Sequence, residues 1–317
     1  MKSEEQTMIW AHLLHLSYNM WLDRDATELE GYGRIIVGSP KLRFDKAVWD
    51  DLLPRMADNG VNMLVIDVGD AVQYKSHPEI AVEGAWSIEQ LKDELARLRG
   101  MGIEPIPKLN FSATHDLWMG PYSRMVSTPK YYEVCANVIR ECVEIFDNPR
   151  LFHLGMDEET FDHQRHMEYV VIRQYDLWWH DFNFLVEQVE KLGARAWVWS
   201  DYIWNHKETF LERMPKSVLQ SNWYYDQSME PENPVCKHYV DAYNILEESG
   251  YDQIPTGSNH SYPENFGSTV RWAKENIAPE RLKGFFQTIW RPTTEEFHLR
   301  HIEGIEQIGA ARKEFEK

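Results

Sequence analysis

Three consecutive acidic residues, Asp157, Glu158 and Glu159, follow a short apolar run in the segment LFHLGMDEE. The run at 151–154 predicts a buried strand, so the acids would lie where that strand ends. Two carboxylates held close together push their pKa values apart, which is what a general acid/base pair requires. Acids at a helix N-terminus would instead favour the helix dipole. The local sequence leaves both interpretations open.

A unit that recurs along the chain would position these acids. It consists of a helical segment, a glycine and a short apolar run; the glycines are Gly60, Gly102, Gly193 and Gly250. Each glycine ends a predicted helix, where a residue that tolerates positive φ is favoured. The eight predicted strands cover residues 11–16, 63–68, 104–109, 151–154, 194–199, 218–223, 253–256 and 284–289.

Strands that alternate with helices form parallel sheets with crossover connections. Eight such units in 317 residues predict an α/β protein with one catalytic (β/α)8 TIM barrel that covers residues 1–317. A doubly wound sheet is the alternative, but neither GxGxxG nor GxxxxGK[ST] occurs in the sequence, so we expect no nucleotide cofactor. In a barrel, functional side chains gather at the carboxyl ends of the strands.

The composition excludes several classes of partner. With 33 Lys and Arg against 51 Asp and Glu, the net charge of −18 argues against nucleic acid and anionic membrane surfaces. His163 and His166 follow the acids without an HExxH motif, so we expect no metal and no other cofactor. The start of the chain does not resemble a signal peptide, which predicts a cytoplasmic protein unless a signal has been removed. Thirteen tryptophans suit both core packing and stacking on sugar rings.

The segment His153-Leu-Gly-Met-Asp157-Glu158 resembles the His-x-Gly-x-Asp-Glu signature of glycoside hydrolase family 20, the β-N-acetylhexosaminidases. Further segments resemble this family in the family's own order: VNMLVIDVGD with Asp70, GIEPIPKLNFSATHD with His115, AWVWSD with Trp199, WYYD with Trp223, Tyr224 and Asp226, and GFFQTIW with Trp290. Because these segments extend over nearly the whole chain, the resemblance implies a divergent member of this family.

The resemblance implies substrate-assisted retaining hydrolysis of a β-linked 2-acetamido sugar, in which the sugar's own acetamido oxygen is the nucleophile. Glu158 would be the general acid/base, Asp157 would orient the acetamido group, and Tyr224 would donate a hydrogen bond to it. His115 and Asp70 would support Glu158, whose pKa an anionic neighbour and an apolar pocket would raise. Further contacts with the carbohydrate are expected from Trp199, Trp223, Asp226, Trp290, Tyr18 and His153.

The sequence departs from the family at the far side of the expected sugar pocket. Tyr18 stands where the family has an arginine, and Pro292 stands where it has a glutamate. Lys108 and Asn110 replace a glutamate and an aspartate of the third strand. We therefore expect the catalytic centre to be kept and the groups that hold the far side of the sugar to differ.

Two alternatives remain open at the level of the sequence. The first is a glycan-binding barrel that has kept the fold and lost turnover. The second is a glycosidase for a different sugar, in which Asp157 or Glu159 is the nucleophile. The oligomeric state, the natural glycan and its linkage are not predicted.

Overall fold

A computed structural model describes residues 7–317, and its strands form one parallel sheet. The eight strands are β1 (Ile9–His15), β2 (Met63–Asp67), β3 (Glu104–Lys108), β4 (Leu151–His153), β5 (Arg195–Trp199), β6 (Leu219–Ser221), β7 (Thr256–Ser258) and β8 (Gly284–Thr288). They pair in the order β6-β5-β4-β3-β2-β1-β8-β7. Isolated parallel bridges between Gln220 and Gln253 and between Trp223 and Thr256 join the two ends of the sheet. The fold is therefore a (β/α)8 barrel, as the sequence predicts.

At least one helix follows each strand along the chain. The helices are α1 (Tyr32–Ile35), α2 (Lys46–Asp58), α3 (Ile88–Gly100), α4 (Pro129–Ile145), α5 (Phe161–Gln164), α6 (Tyr175–Lys191), α7 (Tyr202–Asn205), α8 (Lys207–Arg213), α9 (Pro234–Glu248), α10 (Asn265–Asn276) and α11 (His298–Phe315). The side chain of Thr128 caps α4 by accepting from the Tyr131 amide at 3.2 Å. Within residues 7–317, no helix combines the length and the apolar character that crossing a lipid bilayer requires.

The seventh strand differs from its predicted position. It was expected at 253–256, whereas β7 begins at Thr256. Gln253 makes only isolated bridges, to Gln220 and Leu282. Pro255 has no amide hydrogen to donate to a ladder, so regular pairing begins only after it.

Alternating residues of the strands divide the core into two layers. In β1, Ile9, Ala11 and Leu13 pack inside the barrel, whereas Trp10 and Leu14 pack in the larger cluster between the sheet and the helices. This alternation follows from the two-residue period of a strand. The barrel interior is filled by side chains, so any substrate must bind above the strand ends.

Candidate active site

A cavity of about 670 Å³ lies at the carboxyl ends of the strands and contains the predicted acids. Asp157 and Glu158, which follow β4, line it together with His115 from the loop after β3. Much of the remaining wall is aromatic and consists of Trp21, Trp204, Trp223, Tyr224, Tyr225, Tyr239, Tyr262 and Trp290. A concave, largely apolar site with a few convergent polar groups is typical of small-molecule binding.

His115 lies between the two acids. Its Nδ1 is 3.3 Å from Asp157 Oδ1, and its Nε2 is 3.4 Å from Glu158 Oε2. Burial lowers the pKa of His115, but Asp157 and Glu158 outweigh this effect and raise that pKa to about 10. Asn110 also donates to Asp157 Oδ1, at 2.7 Å. At neutral pH an imidazolium therefore separates two carboxylates, and Asp157 is held from two directions.

A second histidine faces Glu158 from the other side. His163 Nε2 lies 3.3 Å from Glu158 Oε1. Burial would raise the pKa of Glu158, but the hydrogen bonds and charges of His115 and His163 hold it well below its usual range. The sequence-based expectation of a raised pKa for Glu158 is therefore wrong, because the two histidines, His115 first and then His163, outweigh the effect of burial.

The backbone between β4 and the acids is unusual. Met156 and Glu158 both have left-handed backbone angles, with φ of 76° and 55°. Gly155 also has positive φ, and a Cβ atom there would lie 2.1 Å from Asn110 Oδ1. Asn110 Oδ1 accepts a hydrogen bond from the Met156 amide at 3.1 Å. Glycine is thus required for the close approach of Asn110, which in turn orients Asp157.

Glu159 points away from the cavity. Its carboxylate accepts from the backbone amides of Ala113 at 3.0 Å and Arg173 at 2.7 Å. The Arg173 guanidinium adds an ion pair at 2.6 Å, and the Glu159 side chain is 4% exposed. The alternative in which Glu159 is the nucleophile is contradicted by this geometry, because its oxygens are bound to groups outside the cavity.

Asp70 is bound by residues of the loop after β1. Its oxygens accept hydrogen bonds from Ser17 Oγ at 2.6 Å and Asn19 Nδ2 at 2.7 Å. Burial raises its pKa to about 6. The expectation that Asp70 supports Glu158 is wrong, because the short helical turn after β2 directs this carboxylate toward the loop after β1.

Three residues predicted to contact the sugar lie beneath the cavity wall. Tyr18 is 2% exposed, and its hydroxyl donates to the Trp290 carbonyl at 2.8 Å. His153 is fully buried and packs on Trp199, which stacks on Phe286 with ring centroids 5.3 Å apart. The structure therefore corrects all three to supporting positions. Trp199 and His153 pack among the aromatic rings of the barrel interior, and Tyr18 is buried against His15 and Trp21.

The other predicted wall residues, Trp223, Trp290 and Asp226, do line the cavity. Trp290 Nε1 donates to the Tyr225 hydroxyl at 3.1 Å, and the Tyr225 ring stacks on Trp223. Burial, together with Asp157 and Glu158, raises the pKa of Tyr225. The hydroxyl of Tyr225 is thus fixed within the wall of the cavity, where the charges of the acids act on it.

Tyr224 has a different environment, although it also lines part of the cavity. It packs with Met229, Val240 and Tyr243. Successive side chains of an extended segment point in opposite directions, so a shift of one residue exchanges the two tyrosines. Both tyrosines line the cavity, and the role of Tyr224 that the motif match implies stays a prediction.

Lys108, which stands where the family has an acidic residue of the third strand, does not line the cavity. Lys108 is fully buried and forms an ion pair with Asp67, and His15 lies 3.4 Å from the same carboxylate.

Trp21, which sequence analysis missed, contacts His115 and Trp290 at centroid distances of 5.6 and 6.4 Å. Its place just after β1, at the rim, was the signal that could have identified it.

Among residues 7–317, His115, Asp157 and Glu158 form a group whose possible ligand atoms lie within 4.8 Å of one another. Both ring nitrogens of His115 face carboxylate oxygens, so the charges of this group are already paired internally.

Comparison with known proteins gives a structural likeness only. No protein-family model and no curated protein matches the sequence. The exo-β-N-acetylglucosaminidase of family 20 from Vibrio harveyi, solved with N-acetylglucosamine, is 14% identical with a TM-score of 0.62. That match covers 94% of this chain and 54% of the Vibrio protein, so the chain spans about half the length of this neighbour.

Two further neighbours have the same family fold. The β-N-acetylhexosaminidase from Bacteroides fragilis is 13% identical with a TM-score of 0.65, over 95% of this chain and 65% of that one. Dispersin B is 16% identical with a TM-score of 0.59, over 84% of this chain and 95% of that one. The chain therefore has the barrel fold found in family 20 β-N-acetylhexosaminidases, which agrees with the resemblance of its motifs.

Proposed function

We propose that this protein is a glycoside hydrolase that removes a β-linked 2-acetamido sugar by substrate-assisted, retaining hydrolysis. The observation that carries the proposal is the placement of Asp157 and Glu158 side by side in an aromatic cavity at the carboxyl end of β4. The similar solved structures, which are β-N-acetylhexosaminidases, support the same assignment by analogy of fold.

Asp157 would orient the 2-acetamido group. The amide of Asn110 donates to its Oδ1, and Nδ1 of His115 lies 3.3 Å from the same oxygen, so the side chain is held in place. A fixed carboxylate beside the acetamido N–H would stabilise the positive charge that develops when the acetamido oxygen attacks the anomeric carbon. The Tyr225 hydroxyl would donate to the acetamido oxygen, and Trp223 and Trp290 would pack against the sugar.

Glu158 would donate a proton to the departing oxygen and then accept one from water. To do so, the ionised carboxylate must first gain a proton. The Nε2 atoms of His115 and His163 face its two oxygens. Transfer of one proton from an imidazolium to Glu158 gives a neutral imidazole and the neutral carboxylic acid that general acid catalysis needs.

The test compares three aryl substrates, namely a β-N-acetylglucosaminide, its galactosamine epimer and a β-glucoside. We expect hydrolysis of at least one acetamido substrate and little or none of the glucoside. A thiazoline analogue of N-acetylglucosamine should inhibit more strongly than the free sugar, because it resembles the cyclised intermediate. Equal hydrolysis of the glucoside, without thiazoline inhibition, would exclude the acetamido mechanism.

A glycan-binding barrel without turnover is the second candidate. The pairing of Glu158 with two histidines favours it, because this arrangement stabilises a carboxylate that cannot act as an acid. Calorimetric binding of N-acetylglucosamine or its oligomers without hydrolysis would support this function. Turnover of an acetamido substrate that is lost in Glu158→Gln would exclude it.

A further inference from the structure

Asp201 follows β5 and reaches across to the loop that carries the acids. Its Oδ2 accepts a hydrogen bond from the backbone amide of Glu158 at 2.9 Å. The backbone carbonyl of Glu158 accepts from Thr114 Oγ1 at 2.8 Å and from the Thr160 amide at 2.7 Å. Both backbone polar groups of Glu158 are therefore held by neighbouring segments.

The residue held by these hydrogen bonds, Glu158, has an unfavourable backbone conformation. Glu158 has φ of 55°, a left-handed angle that residues with a Cβ atom seldom adopt. Such conformations persist only where surrounding contacts hold them, and they often occur at functional sites. Here the conformation places the Glu158 carboxylate between His115 and His163 at the cavity.

Helix capping does not explain why residue 201 is an aspartate. Asp201 precedes α7, but its side chain makes no capping hydrogen bond to that helix. Its other oxygen, Oδ1, is buried without a hydrogen-bond partner in the described part of the chain. Burial and then the charge of Asp157 raise the pKa of Asp201 to about 7. A buried, half-satisfied carboxyl group beside other acids is unfavourable for stability.

We propose that Asp201 is a positioning residue that holds the backbone of Glu158 and thereby directs its carboxylate into the cavity. The inference rests on the proposed role of Glu158 in proton transfer. Asp201 itself would not touch the substrate, and its effect would be transmitted through one hydrogen bond.

The chain contains a matched control for this arrangement. Arg124 also has a left-handed backbone, with φ of 56°, and its amide donates to Asp116 Oδ2 at 2.5 Å. Asp116 is likewise buried, but its second oxygen accepts from Ser123 Oγ at 3.0 Å. Asp116 and Arg124 are not among the residues that line the cavity. A left-handed residue whose amide donates to a buried aspartate thus occurs once in the wall of the cavity and once outside it.

The first experiment measures backbone hydrogen exchange at single residues and needs no substrate. In Asp201→Ala, the Glu158 amide should exchange at least tenfold faster, while the Arg124 amide is unchanged. Asp116→Ala should show the reverse pattern. Asp201→Asn should retain protection at Glu158, because the amide oxygen of asparagine can still accept the hydrogen bond. Unchanged exchange at Glu158 in Asp201→Ala would overturn the proposal.

The second experiment measures kcat and KM on the best aryl 2-acetamido glycoside. Asp201→Ala should lower kcat by about tenfold to a hundredfold with KM within twofold, since a small misplacement of a catalytic group is costly. Asp201→Asn should recover most of this loss, and Asp116→Asn should leave kcat unchanged. A loss in Asp201→Asn equal to that in Asp201→Ala, with Glu158 still protected, would mean that charge rather than position matters and would overturn the proposal.

The two experiments also separate this inference from the proposed function. If the wild-type protein hydrolyses no acetamido substrate, the proposed function fails. The exchange experiment then still decides whether Asp201 holds Glu158, because it does not depend on turnover.

Discussion

Glu158 and Glu159 are adjacent in the chain, yet their carboxylates lie in opposite environments. The Glu158 side chain is 24% exposed, lines the cavity and faces two titratable histidines. The Glu159 side chain is 4% exposed and is bound by Arg173, a permanently charged group, and by two backbone amides. One carboxylate faces groups that can exchange a proton with it, whereas the other is held in place by hydrogen bonds and an ion pair outside the cavity.

The difference shows how two adjacent acidic residues can have separate roles, one in the proposed reaction and one in holding the loop. The left-handed φ of Glu158 turns the chain so that consecutive side chains leave in different directions. Glu159 then ties the loop after β4 to Arg173, which in turn pairs with Asp181 of α6 at 3.1 Å. The structural acid thus helps to hold the loop on which the proposed catalytic acid is presented.

The largest expected effect is on activity, from Glu158→Gln. We expect kcat to fall by about 10²–10⁴-fold, because the substituted group cannot donate a proton to the leaving oxygen. The variant should remain folded, since Glu158 lies at the cavity and not in the buried core, although the loss of its charge beside His115 and His163 should lower the melting temperature somewhat. Aryl substrates with very good leaving groups should lose less activity. An equal loss for all leaving groups would remove Glu158 from the role of the acid.

The second prediction concerns Glu159, whose substitution should lower the stability of the protein more than its activity. Glu159→Gln should lower the free energy of unfolding by about 3 kcal/mol, because it leaves the buried Arg173 without one of its anionic partners. Urea denaturation provides the measurement. Glu187→Gln, which breaks an exposed ion pair with Lys191, is the control and should cost less than about 1 kcal/mol. Full stability of Glu159→Gln with loss of kcat would contradict the comparison.

The third prediction distinguishes Tyr225 from Tyr224 as the donor to the substrate. Tyr225→Phe should lower kcat by about 10²-fold, as is typical when a hydrogen-bond donor to a developing charge is removed. Tyr224→Phe should have a clearly smaller effect, because its ring packs with Val240 and Tyr243. Kinetics of the two variants on one aryl acetamido substrate provide the check. The reverse order would restore the assignment based on the motif.

The smallest effect concerns the pH dependence of stability near Glu158. The pKa of His115 is raised in the folded protein to about 10, above the usual 6.5. Its contribution to stability is therefore complete below about pH 6.5 and is lost as the pH rises toward 10. The slope cannot exceed about 1.4 kcal/mol per pH unit for one proton.

His115→Gln tests this effect by urea denaturation between pH 6 and pH 10. The variant should show a flatter decline in stability than the wild type over this range. Parallel curves for the two proteins would show that His115 is not charged between the acids.

Much of this protein follows from local sequence patterns. Alternating strand and helix signals predict the barrel, because the side-chain periods of strands and helices depend on the chain itself. The segment from His153 to Glu158 also predicts where the acids lie. Gly155 in that segment is required by the close approach of Asn110. These features depend on backbone geometry and on contacts between neighbouring strands.

Only the tertiary structure decided which side chains meet at the site. Asp70 and His153 occur in matching motifs, but Asp70 accepts from Ser17 and His153 packs among aromatic rings of the barrel. Tyr224 and Tyr225 both line the cavity, and only their contacts distinguish them: the Tyr225 hydroxyl accepts from Trp290, whereas Tyr224 packs with Val240 and Tyr243. The ionisation of Glu158 depends on His163, whose position is set by how the loop after β4 folds back. Charge interactions depend on distance in space, and the sequence does not fix that distance for groups on separate loops.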